Sequence, residues 1–258
     1  MSVSTAPVAG YWNANPCSES DQLLSIEDVR FYPEQEAARY DLQPFIPPFA
    51  DFEATYGKRV LEIGVGLGAD HVRFSRGGAL TVGVDVTWSA ILHTRRRFSG
   101  EGRTARLVVG DALRLPFRDE QFDVVYSFGV LHHTPAPPVA CAEASRVVRR
   151  GGGVKLMLYN LRSLVALQVW LIFGLMRGRP FRSWRELIAN HMENSGTQAY
   201  TRGELRRLLP AGLDVRVDTV VTPYDCRIGR RRYLPKWVWK LIPSFLGWNH
   251  LITATRKC

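Results

Sequence analysis

From Arg59 onward, short and almost unbroken apolar runs alternate with longer segments of helical pattern, and this alternation confines the chain to α/β architectures. The runs at residues 60–63, 80–86, 105–109, 122–128 and 154–159 predict five strands. Because they are apolar on both faces, helices must cover both sides of the sheet. Residues 70–75, 87–98 and 138–148 supply the predicted crossover helices, and later runs at 213–223 and 250–255 bring the expected sheet to seven mostly parallel strands. The core is expected over 58–160. Residues 1–57 then form an N-terminal arm or cap, 161–212 a helical lid, and 213–258 the last strands, with a basic and aromatic insert at 227–247.

Composition agrees with a folded globular chain: 258 residues, 46% hydrophobic and 22% charged. A chain of this length buries roughly 70–75% of its unfolded surface and needs no staple. Cys17, Cys141, Cys226 and Cys258 are scattered without metal-ligand spacing, and no basic-then-apolar leader is seen, so a reducing cytoplasmic setting is expected. The longest apolar stretch, 164–176, falls short of the roughly 20 residues of a membrane span. The net charge of +10 is unevenly spread: residues 1–143 hold 13 basic against 18 acidic side chains, and residues 144–258 hold 21 against 6. Such a basic half can attract nucleic acid, anionic lipid or an anionic substrate, or simply be solvated.

Three segments carry chemistry. The strand VLEI runs into GVGLGAD, where Gly64, Gly66 and Gly68 allow a sharp turn and close approach of a ligand to the backbone. The spacing is GxGxG, not the GxGxxG of dinucleotide binding. The next strand ends in Asp85, beside Val86, where a carboxylate can accept both hydrogen bonds of a ribose diol; Thr87 fits the N-cap of the following helix better. Asp111, just past the third strand, can accept from an exocyclic amine while Ala112 offers an amide. Asp123 reads as a surface residue.

Taken in order, LEIGVGLGAD, GVDV, GDALRLPF, FDVVYSFGVLHHT and RVVRRGGGVKLMLYN resemble class I S-adenosylmethionine-dependent methyltransferases, in the small-molecule branch similar to ubiquinone and menaquinone C-methyltransferases. The resemblance implies a Rossmann-like fold with S-adenosyl-L-methionine as donor and S-adenosyl-L-homocysteine as product. It implies that Glu62 and the three glycines hold the methionine part, Asp85 the ribose, and Asp111 and Ala112 the adenine, that Val86 belongs to the same cofactor site, and that Ser127 and Phe128 present backbone groups near the methionine amine. Val65 departs from the small polar residue or Cys common among relatives, which affects packing more than binding. GYWNANPCSES and EAARYDLQPFI resemble a bacterial subgroup found in biosynthetic clusters.

His132 and His133 follow the fourth strand, where an imidazole can take an acceptor's proton; catalysis by alignment alone needs neither. Tyr11, Trp12, Asn13, Tyr32 and Arg39 in the arm, with Tyr159, are candidate lid and substrate contacts. The apolar 163–176 and 184–192 segments fit either a lid or core packing. The insert RIGRRRYLPKWVWKLIPSFLGW fits packing against the core, contact with a membrane or lipidic substrate, or, least, nucleic acid. The expected reaction is methyl transfer to a small-molecule acceptor at O, N or C. The alternatives are a tRNA or rRNA methyltransferase, against which no base-flipping tetrad, catalytic Cys motif or RNA-binding module is found, and a non-catalytic donor-binding regulatory subunit.

Overall fold

The computed structural model describes residues 4–15, 28, 30–229 and 232–257. Cys17 and Cys258, the end of the GYWNANPCSES segment, and Arg230 and Arg231 of the insert lie outside the described residues.

The chain opens with helices α1 (Ala6–Ala14), α2 (Phe31–Leu42) and α3 (Ile46–Ala50). It then enters the alternation: β1 (Arg59–Ile63), α4 (Ala69–Arg76), β2 (Leu80–Asp85), α5 (Trp88–Gly100), β3 (Leu107–Val109), β4 (Phe122–Phe128), α6 (Pro137–Val147) and β5 (Val148–Asn160). Helices α7 (Leu164–Phe173) and α8 (Trp184–His191), strand β6 (Ala199–Tyr200), helix α9 (Arg202–Leu208) and strand β7 (Leu213–Val220) follow. A small hairpin of β8 (Arg227–Gly229) and β9 (Arg232–Tyr233), the one-turn α10 (Lys236–Trp239) and strand β10 (Asn249–Arg256) complete the chain.

The sheet runs in the order β3-β2-β1-β4-β5-β10-β7. Strands β1 to β5 are parallel, and β10 lies antiparallel between β5 and β7. This is the α/β class expected, with one strand more: β6 pairs in parallel with the end of β5, Tyr159 opposite Ala199. A two-residue strand is too short to leave a period in the sequence. The predicted lid segment 161–212 therefore divides. Helices α7 and α8 form an apolar cluster with Met157, Tyr159 and Trp248, whereas Tyr200, Leu205, Leu208 and Leu209 join the main core with Leu61, Val125 and Leu156. Strand β5 is also longer than the predicted 154–159. Its glycines do not break it, and the ladder to β4 shifts register between Phe122 and Val124, as a bulge allows.

The ends of the crossover helices follow their sequence signals. Gly68, at φ +77°, caps α4, the Thr87 hydroxyl accepts from the Ala90 amide at the start of α5, and prolines open α6. All three helices start at the C-terminal ends of parallel strands, which places the glycine turn and Asp85 at the switch between β1 and β4, where ligands of such sheets bind.

Candidate functional site

Two cavities meet at this edge. The first, of about 160 Å³, is walled by the glycine turn, Glu62, Asp70, Asp85, Asp111 and Ala112, with Trp12 and Arg39 from the N-terminal helices and His133 opposite. The second, of about 760 Å³, lies between the β4–β5 ends and α7, and is lined by Met157, Val165, Val169, Ile172 and Trp248 with a few polar groups. Trp12, Arg39, Phe128 and Gly129 line both.

The glycines serve different purposes. At Gly64 (φ +81°) a Cβ would lie 2.2 Å from Val130 Cγ2, and at Gly68 one would lie 2.8 Å from Thr94 Oγ1. Those two are needed by the protein's own packing. A Cβ on Gly66 (φ +50°) would meet nothing within 4 Å, although Gly66 lines the first cavity, so the space its missing side chain leaves is open to a ligand.

The carboxylates are held apart in role by their partners. Asp85 is buried at the tip of β2, where one oxygen accepts from the Thr87 amide (2.9 Å) and hydroxyl (2.9 Å) and the other from the Gly66 amide (3.2 Å), so it ties the glycine turn to the neighbouring strand. Burial pushes its carboxyl up. Glu62 is pushed well up, first by burial and then by the charges of Asp70 and Asp85. It faces the His71 Nδ1 at 3.0 Å, and His71, fully buried, is held neutral with its pKa near 3. Asp111 accepts from the Leu113 amide (2.8 Å) and from the Thr5 hydroxyl (2.7 Å) of the arm. Val86 and Phe128 line the first cavity as expected, but Ser127 lines neither. Its side chain is buried and its hydroxyl donates to the Ile63 carbonyl (2.9 Å), because on a strand Ser127 faces away from Phe128.

The arm contributes less than its aromatic content led one to expect. Trp12 sits edge-on to the His133 ring at 5.2 Å and lines both cavities. Tyr11, Asn13 and Tyr32 line neither. Tyr11 packs on Trp12, Asn13 accepts from the Ser89 amide at 3.4 Å, and Tyr32 lies under the Arg97 guanidinium with its hydroxyl 3.4 Å from His93. Arg39 is fixed from below: it pairs with Asp70 through both carboxylate oxygens (3.1 and 2.7 Å), and Asp70 also accepts from Tyr40 (3.0 Å) and Tyr126 (2.9 Å). Burial works to raise the Asp70 carboxyl, but the Arg39 charge and these hydrogen bonds override it and hold it below the usual range.

The two histidines separate completely. His132 is 0% exposed, lines neither cavity, and has its ring between Tyr159 (3.9 Å) and His133 (4.2 Å); burial pushes its pKa well down. A base sealed from both cavities cannot reach an acceptor, which removes it as a catalytic candidate. His133 lines the first cavity. Its Nδ1 lies 3.1 Å from the Thr197 hydroxyl and its Nε2 3.1 Å from Glu193. Glu193 and Tyr159 line the second cavity, and the Tyr159 hydroxyl donates to Glu193 (3.0 Å). Asp70, Glu193, Thr197, Gln43 and Asn249 had no assigned role in the sequence. Asp70 stands in the first turn of a helix after a glycine turn, a position that could have marked it. Glu193, in the loop after α8, follows no pattern.

Residues 61–155 match the family described as Methyltransferase domain. That stretch, from β1 to within β5, is a methyltransferase domain. The ubiquinone/menaquinone biosynthesis C-methyltransferase UbiE of Dinoroseobacter shibae is 39% identical over 108 residues, 40% of this chain and 43% of that protein. Phthiotriol/phenolphthiotriol dimycocerosates methyltransferase 1 of Mycobacterium ulcerans is 35% identical over 162 residues, 61% of this chain and 58% of that protein. The chain spans about half the length of the curated relatives it matches. Among solved structures, magnesium protoporphyrin IX methyltransferase of Synechocystis, with S-adenosylhomocysteine bound, covers 98% of this chain with a TM-score of 0.65 at 14% identity, a likeness of fold. The matched span runs from β1 into β5. The matched span thus supplies most of the first cavity, which the N-terminal helices complete, while most of the second is built by residues beyond it.

Proposed function

We propose that the protein binds S-adenosylmethionine in the first cavity and transfers its methyl group to a small apolar, lipid-like acceptor in the second. The shared wall of Trp12, Arg39, Phe128 and Gly129 carries this reading, since a group held at that junction is in reach of both cavities. The open cradle at Gly66 fits a ligand pressed against the backbone. Asp85 would hold the ribose, with Val86 beside it on the cavity wall, Asp111 and Ala112 the adenine, and Glu62 and the glycine turn the methionine part, beside Phe128. The donor supplies an electrophilic methyl on sulfonium sulfur, and the chain supplies alignment and exclusion of water. A large cavity lined mostly by aliphatic and aromatic side chains selects an apolar acceptor, and the relatives named for menaquinone, fatty-acid and phthiotriol methylation support that class.

The same reading places the protein in the cytoplasm against an anionic membrane surface. No helix among the described residues is long and apolar enough to cross a membrane. Ile172, Leu175, Met176 and Phe181 beyond the middle of α7 are exposed, and so are Trp237, Leu241 and Phe245 of the insert, with Arg177, Arg179 and Lys240 among them. Ile172 and Arg227, one from each segment, line the second cavity. Apolar side chains flanked by cations suit an anionic interface.

Calorimetry tests the donor: S-adenosylmethionine and S-adenosylhomocysteine should bind at micromolar Kd, and Asp85→Ala should weaken both by about 1–3 kcal/mol. Methyl-deuterated donor should label an organic extract of cells and leave bulk RNA unlabelled; label in RNA, or binding without turnover, would refute the acceptor class. Sedimentation with anionic but not zwitterionic vesicles, lost in a Trp237→Ala, Leu241→Ala, Phe245→Ala variant, tests the membrane contact.

A further inference from the structure

We propose that Glu193 takes the proton from a hydroxyl on the acceptor and that His133 is the positioning residue behind it. The inference rests on the reading that the second cavity holds the acceptor. Glu193 is reached from that cavity, where 44% of its side chain is accessible, while His133 lines the first cavity and is almost fully buried. Their contact at 3.1 Å therefore crosses the wall between donor and acceptor sites. His133 and Tyr159 both engage Oε2 of Glu193. Oε1 has no hydrogen-bond partner among the described residues, so a ligand can reach it.

His133 itself has no nitrogen to offer an acceptor, since Thr197 and Glu193 occupy Nδ1 and Nε2. The Thr197 hydroxyl also meets the Asn194 backbone carbonyl (2.8 Å) and Oδ1 (2.7 Å), which holds the turn that carries it against His133. His133 and Tyr159 together engage Oε2 of Glu193 and leave Oε1 open.

The open Glu193 oxygen is a hydrogen-bond acceptor in a mostly apolar chamber, and it suits a ligand with a hydroxyl proton to give, which a carboxylate at neutral pH lacks. In the step, the acceptor oxygen bonds the methyl carbon and the carbon–sulfur electron pair stays on sulfur. The hydroxyl proton passes to Oε1, and Glu193 later releases it to water.

The titratable groups around Glu193 are His133 from the turn after β4, Tyr159 from β5, and Arg39, His191, Tyr224 and Arg227 on other walls of the cavity. Burial works to raise the Glu193 carboxyl, and His133 and Tyr159 outweigh it, so the group sits below the usual glutamate range. The rate should therefore stay level between about pH 5.5 and 8, where an imidazole base would titrate.

The test uses the full chain with methyl-deuterated S-adenosylmethionine and three probes: 4-nonylphenol, decylamine and decanoic acid. The phenol should be methylated in preference to the other two, and Glu193→Gln should slow it about 100-fold with S-adenosylhomocysteine affinity unchanged within twofold. His133→Ala should move the acid limb of the pH profile upward, because burial is then opposed by Tyr159 alone. On protein loaded with S-adenosylhomocysteine, 4-nonylphenol should bind at least tenfold tighter than its methyl ether, and Glu193→Gln should abolish that preference. Equal binding of the two probes, no binding of either, preferred methylation of the acid or amine, a rate limb near pH 6.5, or an unchanged Glu193→Gln rate would overturn the assignment. Failure of the wild-type chain to bind S-adenosylhomocysteine would instead overturn the donor reading.

Discussion

Replacing Asp70 by Ala tests whether the floor of the first cavity is held by charge. The carboxylate accepts four hydrogen bonds: two from Arg39, one each from Tyr40 and Tyr126. Arg39 keeps 18% of its side chain accessible and Asp70 only 3%. Asp70→Ala thus leaves a largely buried guanidinium unpaired, the Tyr126 hydroxyl without its acceptor and the Tyr40 hydroxyl with only the Ala69 carbonyl at 3.4 Å. Removing one partner of a buried ion pair costs about 3–5 kcal/mol, a large part of the 5–15 kcal/mol typical of a whole domain. At roughly 2–4 °C per kcal/mol for a chain of this size, Tm should fall by about 6–20 °C. Urea melts at pH 7 give the free energy directly. Adding Arg39→Met should recover at least half of it, since the stranded charge is then gone.

The sign of the pH dependence follows from the depressed carboxyl. Its contribution is fully present above the unfolded value near 3.8 and is lost as pH falls through the lower folded value. The gap between wild type and Asp70→Ala should therefore be constant from pH 7 to about 5 and close below 4. A loss under 1 kcal/mol at pH 7, or a double variant no more stable than the single one, would refute the account.

Gly64→Ala should cost about 2–4 kcal/mol of stability, from its positive φ and the Val130 overlap. Gly66→Ala should cost about 1 kcal/mol yet weaken S-adenosylhomocysteine at least tenfold; calorimetry and melts on both variants separate the two. His250, buried between Thr219 and the Tyr200 carbonyl, has its pKa pushed down to about 4 by burial. The unfolded chain takes up that proton first, so stability is lost as pH falls from 6.5 to 4, by about 3 kcal/mol in all. His250→Gln should flatten that part of the stability profile, and an unchanged slope would refute it. Helix α1 buries no residue and meets the first cavity through Thr5, Val8 and Trp12, so Trp12→Ala should leave Tm within about 2 °C while speeding S-adenosylhomocysteine release; a larger Tm loss with unchanged release would refute its role as a cover.

The strands of the core were legible because each is a run of one kind of residue, with its ends marked by Gly, Pro or an N-cap. Such signals are local, and β1 to β4 and their helices begin and end within two residues of the expected bounds. Strand β6 and the long β5 were not legible. The first owes its existence to two hydrogen-bonded positions beside Tyr159 and Asn160, and the second runs through Gly151, Gly152 and Gly153, which a sequence reader takes as a turn.

The site divides on the same line. Gly64, Gly66, Gly68, Asp85 and Asp111 lie at strand ends, where order along the chain and position in space coincide. His132 and His133 are neighbours of identical chemistry, and nothing local tells them apart. They lie in a 3-10 turn, Leu131–His133, in which successive side chains point about 120° apart. One therefore enters the stack with Tyr159, and the other faces the cavity and reaches Glu193, 60 positions on. That contact depends on the loop after α8 folding back over β4 and β5, where the His132 carbonyl accepts from the Gln198 amide. A carboxylate that meets its imidazole only through tertiary packing leaves no spacing to read, and so the residue proposed to face the acceptor emerges from the folded chain alone.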